Sequence, residues 1–308
     1  MLSRIAESLF WIGRYIERSD GTARILDAHL QLLLEDPWVD EHTACVNLLQ
    51  LMGSEVPDDA SLLRHDVLTT LAIDRNNPAS IAYSLSAARE NARRAREIVS
   101  TELWECLNAT QLRLPARISM GKTHDYFAWV LERAALAVGI VESSASRDEA
   151  WLFFTLGRSL EQADMTARLL ATRSLGTVGP SWTTILRSCG GYESYLRTYR
   201  GVPSAQNAAE YLLLDRLFPR SIVFSVSRAE QCLRELEPRS DRVGVSERAQ
   251  RLLGRIRSQL EYRPVNEILN DLPTQMDAIE KATTTASQAI ADRYFPTHTA
   301  QSWTGEAS

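Results

Sequence analysis

Lysine is almost absent from this 308-residue chain, which carries only Lys122 and Lys281 among its 34 basic residues. Neither lysine lies in a GxxxxGK[ST] run, which disfavours a phosphate-binding loop of that kind. The four cysteines form no CxxC pair, and the five histidines never fall at a spacing such as HExxH. We therefore expect free buried thiols, no metal site and no cofactor. The chain also lacks a GxSxG elbow and a GxGxxG loop, so no nucleophile or dinucleotide motif is recognisable.

Long apolar runs and a basic surface are missing as well. No stretch approaches the roughly 18 apolar residues of a membrane span, so no membrane partner is expected. The net charge is −5 and the isoelectric point about 5.7, which argues against nucleic-acid binding. The N-terminal segment enters a helical pattern at once and lacks the zones of a signal peptide, which predicts a cytoplasmic location.

Apolar residues recur mostly three and four positions apart, and no alternating segment stands out, which predicts an all-α fold. Proline and glycine clusters set the expected boundaries between helices. Helices are predicted near residues 3–35, 39–52, 59–73, 79–113, 122–145, 147–175, 181–188, 204–215, 219–237, 246–261 and 265–295.

The chain contains an internal repeat. Residues 12–26 read IGRYIERSDGTARIL, and residues 156–170, shifted by 144, read LGRSLEQADMTARLL. A second block, DRNNPASI at 74–81, resembles DRLFPRSI at 215–222 with a shift of 141. Repeated helical units usually pack on each other, because one unit alone leaves an apolar face exposed. We therefore predict a helical bundle of two pseudo-symmetric repeats, 1–145 and 146–300, forming one domain over 1–300, with a flexible tail at 301–308.

Charged residues gather on one side of the first repeated helix and again on its second copy. This charged stripe comprises Arg14, Glu17, Arg18, Asp20, Arg24, Arg158, Glu161, Asp164 and Arg168. Three interpretations are open: a buried ion-pair network joining the halves, a surface that binds a ligand or partner, and an ordinary solvated face. If the network is buried, Glu17→Ala should destabilise the fold by several kcal/mol.

The second repeated block predicts a corner between two helices. Pro78 and Pro219 fit the first turn of the following helix, and the serine two positions later fits its start. The alternative is that Arg75 and Arg216 reach the charged stripe. The supporting residues are Asp74, Arg75, Asp215 and Arg216.

The opening segment LSRIAESLFWIGRYIERSDGTARILD resembles the start of the bacterial alpha-E domain family, a set of helical proteins with a Glu-Arg motif. Here that motif is Glu17-Arg18. ENARRAREIVSTELWECLN at 90–108, the motif at 156–170 and FPRSIVFSV at 218–226 are similar to that family too. The second copy has Glu161-Gln162 where the family tends to have Glu-Arg.

The resemblance implies a role beside another enzyme. Members of this family are encoded beside, or fused to, circularly permuted ATP-grasp proteins, which implies such a protein as partner in a peptide- or amide-forming system. The expected function is a non-catalytic helical partner or substrate-positioning subunit, with no catalytic residue of its own. One alternative is an enzyme or ligand-binding protein that uses the stripe to hold a carboxylate or phosphate, with Glu17 or Glu161 as general base. Another is a peptide-binding groove between the repeats, and a homodimer is also compatible with the aromatic content.

Overall fold

The computed structural model of the protein describes residues 1–35, 38–56, 61–174, 180–237 and 244–296, and these form fourteen α-helices and no strand. The all-α prediction is confirmed. In chain order the helices are α1 (Ser3–Glu35), α2 (Glu41–Leu51), α3 (Arg64–Leu68), α4 (Ile81–Arg94), α5 (Thr101–Leu112), α6 (Thr123–Ser144), α7 (Glu149–Ala171), α8 (Trp182–Ser188), α9 (Tyr192–Tyr199), α10 (Ala205–Leu214), α11 (Ile222–Leu236), α12 (Arg248–Glu261), α13 (Val265–Asn270) and α14 (Leu272–Tyr294).

Serine side chains start five of these helices. In each case the hydroxyl accepts a hydrogen bond from a backbone N–H three residues further on, which satisfies one of the free donors of the first turn. The capping residues are Ser80, Ser100, Ser181, Ser204 and Ser221.

The helices α1 and α7 lie at the centre and pack extensively against each other. Helix α1 also packs on α4 and α6, and α5 joins those two; α7 packs on α11 and α14, and α12 joins those two. Most of α7 is buried, including charged residues such as Glu161 and Asp164, which must therefore find partners in the helices packed around it. Each central helix thus lies in a group of four, and the groups meet along α1 and α7. The duplication of the chain stays a prediction.

Some predicted elements were wrong in their limits. The helix predicted over 79–113 is two helices, because Ala95 ends α4 and Ser100 caps α5 after a turn. The helix predicted over 265–295 is interrupted at Asp271, and the short α9 was not predicted. A π-helical turn, Thr69–Ile73, continues α3.

The apolar core includes the aromatic cluster near the start of α7 and the cysteines. Trp151, Phe153 and Phe154 of α7 are buried. All four cysteines are free and buried, as expected from their spacing. The tail predicted at 301–308 lies outside the described residues.

Candidate functional site

Two glycines let the backbones of α1 and α7 touch. A methyl group on Gly13 would collide with the carbonyl oxygen of Phe154, and one on Gly157 would collide with that of Phe10. Glycine costs about 1 kcal/mol relative to alanine inside a helix, so a close approach of this kind accounts for its presence. The contact is reciprocal, and it brings the charged stripe of each helix against the other.

Glu161 lies at the centre of one ion cluster. Its side chain is 0% exposed, and the Nε of Arg14 lies 2.6 Å from Oε2. The Nε of Arg18 lies 2.5 Å from Oε1, and its Nη2 donates to Oε2 at 3.1 Å. Burial alone would raise the pKa of this carboxyl, but Arg14 and Arg18 hold it at about 2. Glu161 is therefore ionised at every physiological pH.

Glu17 is the centre of a second cluster on the same interface. Its side chain is 2% exposed, with the Nη1 of Arg220 2.5 Å from Oε1 and the Nε of Arg158 3.3 Å from Oε2. Arg220 also reaches Asp20, with Nη2 2.8 Å from Oδ2. Burial would raise the pKa of Asp20, but Arg220 and then Arg24 lower it below its usual value. One guanidinium thus binds two buried carboxylates.

Arg24 and Arg168, near the C-terminal ends of the two copies of the motif, bind both a stripe carboxylate and the backbone of another helix. Arg24 pairs with Asp20 at 2.7 Å and donates through Nη1 to the carbonyl oxygen of Ser188 at 2.9 Å. Arg168 pairs with Asp164 at 2.9 Å and donates to the carbonyl oxygen of Leu51. Each arginine therefore fixes the carbonyl end of a helix in the opposite half of the chain.

Arg168 and Asp164 have further partners in α14. Arg168 Nη2 lies 3.2 Å from Oε2 of Glu280, and the hydroxyl of Thr283 donates to Asp164 at 3.1 Å. Burial raises the pKa of the Glu280 carboxyl to about 7, although the positive charge of Arg168 acts in the opposite direction. The carboxyl of Glu280 therefore changes its charge near neutral pH.

The structure brings all nine stripe residues into one interface and adds Arg220, Glu280, Thr283 and Ser287 to them. Sequence reasoning missed these four. For Arg220 a signal was available, because the shift of 141 aligns it with Ala79, so that only the second block carries an arginine there.

The second copy of the motif has Gln162 in place of an arginine, and the structure shows how that arginine is replaced. Arg18 reaches across to Glu161, whereas the aligned Gln162 makes no hydrogen bond with the described residues. Arg220 supplies the second arginine to Glu17 instead. Each buried glutamate therefore keeps two arginines, although they come from different elements.

The supporting residues form a corner and stay away from the stripe. Arg75 is exposed, and Arg216 pairs with Glu261 at 2.6 Å. The carbonyl oxygens of Asp74 and Asp215 accept hydrogen bonds from Ser80 and Ser221, which fixes the turn before α4 and α11.

The position expected for the two prolines was wrong. Pro78 and Pro219 precede the capping serines and lie in the turn, because α4 and α11 begin only at Ile81 and Ile222. Their fixed backbone angle therefore shapes the corner and not the first helical turn.

Metal-binding clusters and membrane-spanning helices are both absent from the described part of the chain. It holds no group of three or more His, Cys, Asp or Glu side chains placed to bind a metal ion. None of its helices combines the length and apolarity needed to cross a membrane.

Comparison with known proteins places the chain among helical proteins whose role is open. Residues 1–295 match the family Alpha-E, described as a predicted alpha-helical domain with a conserved ER motif. Uncharacterized proteins of Mycobacterium bovis and Mycobacterium tuberculosis are 23% identical over 294 residues, which covers 86% of this chain. The chain spans about a third of the length of these relatives. No solved structure matches. Since the match covers nearly the whole chain, the protein belongs to the Alpha-E family.

Proposed function

We propose that this protein is a non-catalytic helical partner, or a substrate-positioning subunit, of an ATP-grasp-type peptide or amide ligase. The observation that supports it most is the closure of the charged stripe. Glu17 and Glu161 are 2% and 0% exposed, and each faces two arginines. The most distinctive polar feature of the chain is thus used to join its two halves.

An enzyme that uses the stripe would need an accessible base. A general base works best with a pKa near the working pH. Arg14 and Arg18 hold the pKa of Glu161 at about 2 despite the opposing effect of burial, so this carboxylate is a poor proton acceptor. A solvated substrate would also have to displace arginines that already bind in a forked geometry.

A peptide groove between α1 and α7 is disfavoured by the glycine contact. The backbones meet at Gly13 and Gly157, which leaves no space for a third chain at that level. The span of about a third of the mycobacterial relatives is consistent with a module that works beside other domains. The ligase partner itself rests on what the family resemblance implies.

The test is recovery of the partner from cells. We expect a tagged copy of the full chain, purified from a bacterium that encodes it, to bring down an ATP-grasp protein in stoichiometric amount, as identified by mass spectrometry. A tagged unrelated helical protein of similar size is the control. Recovery of the chain alone, from a lysate in which the ATP-grasp protein is detected, would contradict the proposal.

A reconstitution assay separates a partner from an enzyme. ATP-dependent amide formation by the ligase should increase when the chain is added, and the variant Glu161→Gln should still stimulate it at a temperature where circular dichroism shows the variant folded. If folded Glu161→Gln abolishes the stimulation, the stripe takes part in the chemistry and the non-catalytic assignment fails.

A further inference from the structure

An open cleft of about 530 Å³ lies beside the charged stripe, between α7 and α11. Its lining includes Thr155, Ser159 and Gln162 from α7, and Val223, Phe224 and Arg228 from α11. The cleft is open at the surface and has both polar and apolar walls. This combination is typical of a small-ligand site, where apolar contacts surround a few well-placed polar groups.

The polar wall of the cleft contains a buried hydroxyl group without a partner. Thr155 is 4% exposed, and its hydroxyl has no hydrogen-bond partner among the described residues. Ser159 and Gln162, whose residues are also buried, extend the polar wall beside it. Buried polar side chains nearly always have partners, so the unpaired hydroxyl of Thr155 on the wall of an open cleft indicates a group kept for a ligand.

Arg228 gives the cleft a positive charge that no described carboxylate neutralises. Its Nη1 donates to the neutral amide of Gln231 at 2.9 Å, and its guanidinium lies 4.9 Å from the ring centre of Trp151. The other cations at the cleft are already paired: Arg158 with Glu17 at 3.3 Å and Arg216 with Glu261 at 2.6 Å. Arg228 is therefore the guanidinium available to bind an anion.

The corresponding face of the first half carries larger side chains. The shift of 144 aligns Thr155 and Ser159 with Trp11 and Tyr15, whose rings stack with centres 5.3 Å apart. The first half thus has two large aromatic rings at the positions where the second half has two small hydroxyl side chains.

The two halves also differ in the charge of this face, which is more positive in the second half. The shift of 141 aligns Arg228 with Ala87 and Gln231 with Glu90. At these two positions the second half has a cation and a neutral amide, where the first half has an alanine and a carboxylate. Both differences favour a negatively charged occupant.

We propose that this cleft binds the C-terminal carboxylate of a peptide, with the guanidinium of Arg228 forked onto it. Guanidinium and carboxylate match in planar, bidentate geometry. One uncompensated cation, with Glu142 also at the cleft, suits a single negative charge better than the double charge of phosphate. The side chains of Thr155, Ser159 and Gln162 bind the amide groups, and Phe224 contacts the apolar part of the ligand.

The choice of a peptide rests on the proposed function in amide formation, whereas the anion site rests on the cleft alone. The experiment therefore uses the isolated full-length chain, labelled with ¹⁵N in its arginines, and follows the Nε–H signals by NMR. The probes are a tripeptide mixture with free carboxyl ends, the same mixture with amidated ends, and inorganic phosphate. We expect the free-acid mixture to shift the Arg228 signal in a saturable way, and to bind at least about tenfold more tightly than the other two probes.

Three variants test whether the ligand binds at Arg228. Arg228→Ala should weaken binding of the free-acid mixture by at least about tenfold. Gln231→Glu, at an exposed position, should do the same without disturbing the fold, because it restores the carboxylate found at Glu90. Arg234→Ala, on the same helix with a side chain 62% exposed, is the matched control and should bind as the parent does.

Three outcomes would overturn the inference: no saturable shift with the free-acid mixture, equal binding of the amidated mixture, or equal binding of phosphate. The last would make the cleft a general anion site. Because no ligase is present, failure here leaves the proposed partnership untouched, and failure of the co-purification leaves the cleft result untouched.

Discussion

Removal of the buried carboxylate of Glu161 should cost far more stability than removal of a surface carboxylate with the same number of partners. Glu161→Ala leaves Arg14 and Arg18 without their carboxylate, and Arg14 then keeps only the hydroxyl of Ser287. Breaking a buried ion pair from one side costs about 3–5 kcal/mol. In a chain of this size that corresponds to a fall in melting temperature of about 5–8 °C.

The structure also ranks a second buried variant and supplies a control. Glu17→Ala should cost about 2–3 kcal/mol, because Arg220 keeps Asp20 at 2.8 Å after the glutamate is lost. Glu90→Ala is the control: its side chain is 37% exposed and pairs with Arg93 and Arg94 within one helix, which is worth less than about 1 kcal/mol.

The assay is urea unfolding followed by circular dichroism, with calorimetry for the melting temperatures. Equal losses for Glu161→Ala and Glu90→Ala would refute the reasoning, because they would show that burial adds nothing to the pair. Replacing Arg14 and Arg18 by Met in a Glu161→Leu chain should recover part of the loss, since no unpaired charge is then left in the interface.

Three further predictions follow from glycine contacts, a raised pKa and buried thiols. Gly13→Ala and Gly157→Ala should each destabilise the fold by at least about 2 kcal/mol, because the added methyl group collides with a carbonyl oxygen. Gly139→Ala should stabilise the fold by up to about 1 kcal/mol, because its methyl group meets open space. Similar unfolding midpoints for all three variants would contradict this prediction. Burial raises the pKa of Glu280 from 4.5 to about 7, so the folded state retains a proton that the unfolded state loses. The free energy of unfolding should therefore fall as the pH rises between about 4.5 and 7. Glu280→Gln should show a smaller fall, and equal pH dependence of the two proteins would contradict the assignment. Burial raises the pKa of all four thiols, so iodoacetamide at pH 8 should label none of them in the folded chain and all of them in urea; a stoichiometric label on the folded chain would show that a buried thiol is accessible.

The sequence predicted helical faces well and their partners poorly. A period of 3.6 residues shows that Glu17, Asp20 and Arg24 share one side of α1, and the structure places them so. Periodicity carries no information on what lies opposite that side, because the facing residues are far away in the chain. The pairing of Arg14 with Glu161, 147 residues apart, could be known only from the packing.

Breaks inside strong helix formers were also difficult to predict. Residues 95–100 carry no proline or glycine, and the break depends on Ser100 taking an extended conformation and capping α5. A serine of this kind is common inside helices, so its capping role shows only in the structure. Arg220 was missed for the related reason that it lies in a turn, outside the helical pattern.

The glutamates of the central interface have a consequence for how the chain is made. The arginines that Glu17 binds lie 141 and 203 residues further along, and the glutamate that Arg14 and Arg18 bind lies 147 and 143 residues further along. During synthesis α1 therefore carries unmatched charges until α7 and the corner before α11 have left the ribosome. We therefore expect the first half to complete its folding only together with the second, so that the protein unfolds in a single cooperative transition.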